Sequence, residues 1–247
     1  MRADDKVQLA DYITVLNGVA GFLAITFIID RRYLETALLI MAALCLDGVD
    51  GFVARRYGGS GRGHYLDSFA DTISFCIAPA LMLYTMYYDP ARGRAYSDAQ
   101  NALAVVSSTL VAAFGILRLA RFVGADHEKG NFRGLPATAN AILLTSAAFL
   151  FGPGNGIPVL LFAVITSFLM ISEVPYPKIA DAMRSALVFL IGAIGIVALI
   201  VLVLAVSPTT VAGFLFSVAM ASTLGYLIGG PIYAGKPGSS GKALRVQ

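Results

Sequence analysis

Apolar residues run along this chain in long, nearly unbroken stretches, and the polar positions are gathered into short gaps between them. Eight stretches are long enough to read as helices: Tyr12–Ile29, Tyr33–Arg55, Tyr65–Tyr88, Ala102–Phe122, Pro136–Phe151, Ile157–Ile171, Ala186–Val206 and Thr209–Ile228. A bilayer-spanning helix needs about 20 mostly apolar residues. The fifth and sixth stretches are shorter, and Gly152-Pro153-Gly154-Asn155-Gly156 between them predicts a tight turn. That pair reads as a hairpin or as one broken element, so the pattern predicts seven or eight spans. No internal repeat is evident.

Composition agrees with this pattern. The chain is 57% apolar and 13% charged, against about 25% charged in a soluble domain, and its mean hydropathy is +0.76. The first stretch is long, contains Asn17 and lacks a small-residue cleavage site, so it reads as a span rather than a signal peptide. The expected fold class is an all-α integral membrane protein with about eight transmembrane helices. Residues 1–230 are expected to form one membrane domain. Residues 231–247 are expected to form a flexible tail, because "GKPGSSGKALRVQ" is rich in Gly and Ser. The two cysteines, Cys45 and Cys76, both fall in apolar stretches and suggest neither a disulfide framework nor a zinc site.

Charge sets the orientation. With both termini on the cytoplasmic side, that side carries 14 of the 18 Lys and Arg residues and the other side carries 4, as the positive-inside bias requires. The net charge of +3 suits basic loops near anionic headgroups and is too small to argue for nucleic acid.

One segment breaks the apolar pattern. "DGVDGFVARRYGGSGRGHYLDSFAD" runs from Asp47 to Asp71 and places four aspartates at the cytoplasmic ends of the second and third helices. Ionised residues inside membrane helices are expensive and mark function by default. Asp47 and Asp50 are spaced i, i+3, and Asp67 and Asp71 are spaced i, i+4, so each pair shares a helical face. Joined by a short turn, the two helices would bring four carboxylates together. Their repulsion calls for hard divalent cations such as Mg²⁺ or Mn²⁺. Four bridging carboxylates suit two ions about 4 Å apart, an arrangement that activates phosphoryl groups. Gly51 and Ala54 clear space on the carboxylate face, Arg55 can reach a phosphate, and Ser60 and Arg62 add polar contacts in a turn made sharp by Gly58, Gly59, Gly61 and Gly63. The plainer reading, in which these aspartates pair with arginines at the headgroup boundary, would suit one or two charges better than four.

The segment resembles the signature of the CDP-alcohol phosphotransferase family. It reads Asp47-x2-Asp50-Gly51-x2-Ala54-Arg55, then seven residues, then Gly63-x3-Asp67-x3-Asp71, a gap one residue shorter than is common. "LDSFADTISFCIAPA", "RLARF", "FRGLP", "SEVPYPK" and the opening "DYITVLNGVAGFLAI" are similar to motifs of the serine-using branch of that family. The usual Pro-Asn start of the first helix is replaced by Ala10-Asp11.

The resemblance implies a fold built on that family's core, and a reaction. Serine's hydroxyl attacks the lipid-bearing phosphorus of CDP-diacylglycerol or CDP-archaeol, and CMP leaves. It implies that Asp47, Asp50, Asp67 and Asp71 hold two ions and that Asp71 is the base. It places Gly51, Ala54 and Arg55 at nucleotide- and phosphate-contacting positions, with Thr14 and Asn17 as nucleotide-side candidates. A homodimer in the cytoplasmic membrane, with the active site on the cytoplasmic side, belongs to the same expectation.

Arg118 and Arg121 are candidates for gripping the serine carboxylate or a lipid phosphate, against ordinary positive-inside anchoring. Phe132–Pro136 reads as a substrate-covering loop or as a turn leading into a helix. His64 and His127 read as solvated loop residues, and Ser74 as a pocket-lining or packing residue. Gly18-x2-Gly21 and Gly192-x2-Gly195 predict close helix packing. Two alternatives stay open: the same family with glycerol phosphate or inositol phosphate as acceptor, and, outside it, a divalent-cation transporter.

Overall fold

The computed structural model describes residues 7–92, 98–124, 132–176 and 208–234. Within them the chain is a bundle of antiparallel helices. The first is α1 (Leu9–Ile29), followed by α2 (Tyr33–Tyr57) and α3 (Gly63–Asp71). A π-helical segment (Thr72–Ile77) leads into α4 (Ala78–Tyr87). Then come α5 (Ala99–Gly124), α6 (Ala137–Phe151), α7 (Gly156–Ile171) and α8 (Pro208–Ala234).

Among the described residues, six helical stretches are long and apolar enough to cross a membrane: Leu9–Ile29, Tyr33–Tyr57, Gly63–Tyr87, Ala99–Arg121, Pro153–Ile171 and Ala212–Pro231. Ala137–Phe151 is a shorter apolar helix. The protein is therefore a multi-pass membrane protein. The expected fifth and sixth elements form a helix pair joined by a 3₁₀ turn at Pro153–Asn155. The expected span Ala186–Val206 lies outside the described residues, as does the Gly192-x2-Gly195 pair. The last helix runs to Ala234, so the first four residues of the expected tail are helical.

Large apolar side chains such as Phe22, Phe52, Phe69, Ile165 and Phe168 are more than half exposed, as hydrocarbon-facing residues should be. The interior instead collects small residues. Ala24, Ala37, Ala78, Ala104, Ala148 and Ala163 are fully buried in the main cluster, with Ile28, Leu144 and Leu160 filling between them. Small residues let helix backbones approach where no solvent drives association.

Gly18 and Gly21 show this most clearly. A Cβ on Gly18 would touch Ala70 at 3.5 Å, and one on Gly21 would collide with Ser74. The expected close packing of α1 is thus present, and it is made against α3 and the π segment.

A two-residue antiparallel ladder pairs β1 (Phe132–Arg133) with β2 (Pro175–Tyr176), Phe132 opposite Tyr176. It fastens the start of α6 to the end of α7. The Gly134 N–H donates to the Val174 carbonyl at 2.9 Å and the Leu135 N–H to the Leu169 carbonyl at 3.0 Å. Gly134 has φ +78°, and any side chain there would strike the Met170 carbonyl. Of the two readings of Phe132–Pro136, this backbone fastening matches the turn leading into a helix.

Candidate active site

The turn between α2 and α3 begins where α2 runs out of helix-compatible backbone. Gly58 closes α2 with φ +91°, a conformation that glycine adopts without steric cost. α3 starts again at Gly63, which approaches α1 closely: a Cβ there would lie 3.2 Å from Asp11 Oδ1. Asp11 organises this corner. Its Oδ2 accepts the Gln8 backbone N–H at 2.8 Å, and its Oδ1 accepts the Ser60 hydroxyl at 2.8 Å. Ser60 thus ties the turn to α1. The signal for Asp11 was its place three residues into α1, where a carboxylate can satisfy an unpaired N-terminal N–H.

Above this corner the aspartates converge, though not as a foursome. One carboxylate oxygen from each of Asp47, Asp67 and Asp71 lies within 4.8 Å of the other two. Asp50 is outside that trio. Three residues beyond Asp47, it is rotated about 60° around α2, toward Thr14 on α1. It is buried, and its Oδ2 has no hydrogen-bond partner. Thr14 is also buried, with its hydroxyl donating to the Ala10 carbonyl at 3.0 Å.

Asn17, a nucleotide-side candidate, sits against Asp71. It is fully buried, and its Nδ2 donates to Asp71 Oδ1 at 3.0 Å. The Ser74 hydroxyl in turn donates to the Asn17 carbonyl at 2.9 Å. The π segment directly after Asp71 allows this, since it brings Ser74 against α1 at Gly21. α1 therefore holds Asp71 in place through Asn17.

Gly51 does not leave open space. The exposed Arg55 guanidinium lies over it, and a Cβ there would meet Arg55 Nη1 at 3.3 Å. Ala54 is half-buried, at the end of α2 beside the turn. Of the two arginines on α5, only Arg118 faces the aspartates. It is half-buried and interacts electrostatically with Asp71, Asp47, Cys76 and Tyr226. Arg121 is exposed and donates from Nη1 to the Ile171 carbonyl at 3.1 Å, at the end of α7. His64 makes an edge-to-face contact with Tyr65 at 5.5 Å, and His127 lies outside the described residues.

The donor set suits a hard cation. Three carboxylates crowd together with no nitrogen or sulfur ligand in the group, and Asp50 nearby keeps a buried oxygen without a donor. Such oxygens are what Mg²⁺ and Mn²⁺ prefer. Residues 7–175, which include every one of these site residues, match the CDP-alcohol phosphatidyltransferase family. The chain belongs to that family.

Members of the family that resemble the chain come from several lineages. A Methanocaldococcus jannaschii protein named CDP-diacylglycerol–serine O-phosphatidyltransferase is 37% identical over 175 residues, covering 70% of this chain and 75% of that one. A Methanothermobacter thermautotrophicus protein named archaetidylserine synthase is 31% identical over 176 residues, covering 70% and 71%. A Bacillus subtilis protein that shares the first name is 29% identical over 171 residues, covering 67% and 87%.

Proposed function

We propose that this family member is a membrane phospholipid synthase that transfers a phosphatidyl or archaetidyl group from a CDP-lipid to the hydroxyl of L-serine, releasing CMP. The observation that carries the reading is Asp71. It is a buried carboxylate fixed by Asn17, grouped with Asp47 and Asp67, with Arg118 alongside. The serine-specific names of the relatives support the choice of acceptor.

A serine hydroxyl is a weak nucleophile at neutral pH and needs a base beside it. Asp71 takes that proton as the serine oxygen forms its bond to the lipid-bearing phosphorus. The bond from that phosphorus to the CMP oxygen breaks, and its electron pair leaves with CMP. Asn17, by occupying Asp71 Oδ1, turns the other carboxylate oxygen to the acceptor. Asp47, Asp50, Asp67 and Asp71 are the residues that would hold Mg²⁺ or Mn²⁺, two ions per site. Bound there, the metal supplies positive charge for the CDP-lipid pyrophosphate. Gly51, Ala54, Arg55 and Ser60 border the nucleotide end, and Arg55 is positioned to swing off Gly51 onto a phosphate. Thr14, beside Asp50, borders the same end. Arg118 faces the acceptor, and Arg121 lies at the rim. The charge asymmetry of the loops supports a site on the cytoplasmic side. A homodimer follows from the resemblance.

The test is CMP release by purified protein in detergent with Mn²⁺ or Mg²⁺, offered CDP-diacylglycerol or CDP-archaeol. Serine, glycerol 3-phosphate and inositol phosphate are compared as acceptors. Serine-dependent release supports the reading, and the preferred lipid assigns the donor. Release with a phosphorylated acceptor alone would move the chain to another branch of the family. A folded protein that binds Mn²⁺ yet releases no CMP with any acceptor would favour ion binding or transport.

A further inference from the structure

One face of α1 meets the site at three levels. Asp11, Thr14 and Asn17 are spaced three residues apart along it. Asn17 holds Asp71, and Thr14 lies beside Asp50. Asp11 reaches instead the turn that joins the two carboxylate-bearing helices. It is buried, 5% exposed. Its Oδ1 accepts the Ser60 hydroxyl at 2.8 Å, and its Oδ2 accepts the Gln8 N–H at 2.8 Å. The turn comes this close because Gly63 has no side chain: a Cβ there would lie 3.2 Å from Asp11 Oδ1 and 3.4 Å from the Ser60 hydroxyl oxygen. The Ser60 carbonyl also accepts the Gly63 N–H at 3.1 Å. Ser60 is thus fixed by its backbone within the turn and by its side chain to α1. The two departures from the family signature meet at this contact: the shorter gap lies in the turn, and Asp11 belongs to the Ala10-Asp11 pair that stands in place of Pro-Asn.

The backbone of this turn needs holding. Gly58, Gly59, Gly61 and Gly63 alternate with only Ser60 and Arg62, and glycine loses more conformational freedom on ordering than any other residue. A turn left free would lose that freedom when a ligand settled on it, and the loss would be read as weaker binding. A buried carboxylate that already grips the middle of the turn removes this cost beforehand. The same grip steadies what lies on either side, because Arg55 is three residues before Gly58 and Asp67 is four after Gly63. The acceptor end takes its order from another contact, Asn17 on Asp71.

We propose that Asp11 is a positioning residue for the CDP-lipid: through Ser60 it preorganises the glycine turn for the nucleotide diphosphate, and so sets affinity for the CDP end while leaving serine binding and the chemical step alone. The inference rests on the reading that this site takes a CDP-lipid, and it adds a residue outside the aspartate signature.

The experiment measures CDP binding in the presence of Mg²⁺ by calorimetry on the full chain in detergent, followed by CDP-lipid and serine titrations of CMP release. Wild type, Asp11→Ala, Ser60→Ala and the double variant are compared. Each single variant is expected to raise the Kd for CDP and the KM for CDP-lipid roughly tenfold, the scale of one hydrogen bond to a charged group. The double variant should bind no more weakly than the weaker single variant, since both remove one shared contact. The kcat and the KM for serine should stay within about twofold. Asp11→Asn, which keeps the shape and one acceptor oxygen, carries the test if Asp11→Ala does not purify folded, with a smaller rise of the same sign.

An unchanged Kd for CDP in the Asp11 variants overturns the inference, even where Ser60→Ala weakens binding, because Ser60 would then act by itself. So does a double variant that multiplies the two single effects, or a loss of kcat as large as the rise in the KM for CDP-lipid. A wild type that binds CDP but does not use serine overturns the serine reading alone, and the CDP constants still decide this inference. A wild type that binds no CDP overturns both.

Discussion

The two ends of the bundle treat buried polar groups in opposite ways. Around Asp89, away from the aspartates, the polar groups satisfy one another. Asn101 Oδ1 accepts the Asp89 N–H at 2.9 Å, and Asn101 Nδ2 donates to the Asp89 carbonyl at 2.7 Å. The Tyr87 hydroxyl donates to the Gly152 carbonyl at 3.3 Å, and Gln100 donates to the Tyr87 carbonyl at 3.2 Å. At the aspartate end, Asp50 Oδ2 and Asn17 Oδ1 are buried with no partner, and three carboxylates face one another. A satisfied network closes a loop. Unpartnered buried oxygens also occur on α6 at Asn140, Thr145 and Ser146, so what sets the aspartate end apart is the gathering of three carboxylates beside them. Burial alone would not separate the two, since Asn101 and Asn17 are both fully buried.

The comparison can be broken at either end. Chelation should give the largest effect. Removing divalent cations should abolish CMP release, and adding back Mg²⁺ or Mn²⁺ should restore it without refolding. Next, Asp71→Asn should lower kcat by about 10²–10⁴, the usual worth of a positioned base, while the protein stays folded in detergent. Retained activity would remove Asp71 from the base role.

Asn17→Ala should cost roughly 10–100-fold in rate, the scale for a residue that orients a ligating group. Its loss of stability should be smaller than this effect implies, because an unpartnered Asn17 Oδ1 is removed along with the Asp71 contact. At the opposite end Asn101→Ala should do the reverse. Thermal stability should drop by about 1–3 kcal/mol, because two backbone groups of Asp89 lose their partner, and activity per folded molecule should hold. A large rate loss there would end the distinction between the ends. The smallest change is expected for Arg121→Gln: an exposed arginine on the Ile171 carbonyl should contribute less than about 1 kcal/mol, with release nearly unaltered.

Much of this was legible in the sequence, for identifiable reasons. The membrane helices could be read because hydrocarbon imposes a single rule of length and apolarity. Asp47, Asp67 and Asp71 could be read because charge in such a helix stands out, and because i, i+4 spacing fixes a shared face. Asp50 lies beside Thr14 of α1 and not within the trio, because i, i+3 spacing leaves an angular offset that sequence alone does not resolve. The hydrogen bond from Asn17 to Asp71 was not legible, because spacing within α1 says nothing of a residue 54 positions away. Where the Arg55 side chain folds, over Gly51, was not legible, because sequence does not show side-chain conformation.

The π segment after Asp71 has a consequence for phase. Each residue of an α-helix turns the chain by about 100°, and a π turn holds one residue more than an α turn. Thr72–Ile77 therefore acts as a built-in phase shift between two halves of one membrane crossing. Asp67 and Asp71 gather with Asp47, while beyond the segment Ala78, Met82 and Leu83 are buried in the apolar interior. A one-residue deletion that turned the segment into an ordinary α turn would leave the two halves aligned, whereas the same deletion in regular helix beyond it would rotate them by about 100°. The segment is thus the one place in this crossing where a residue can be lost while one end stays carboxylate-bearing and the other hydrocarbon-packed.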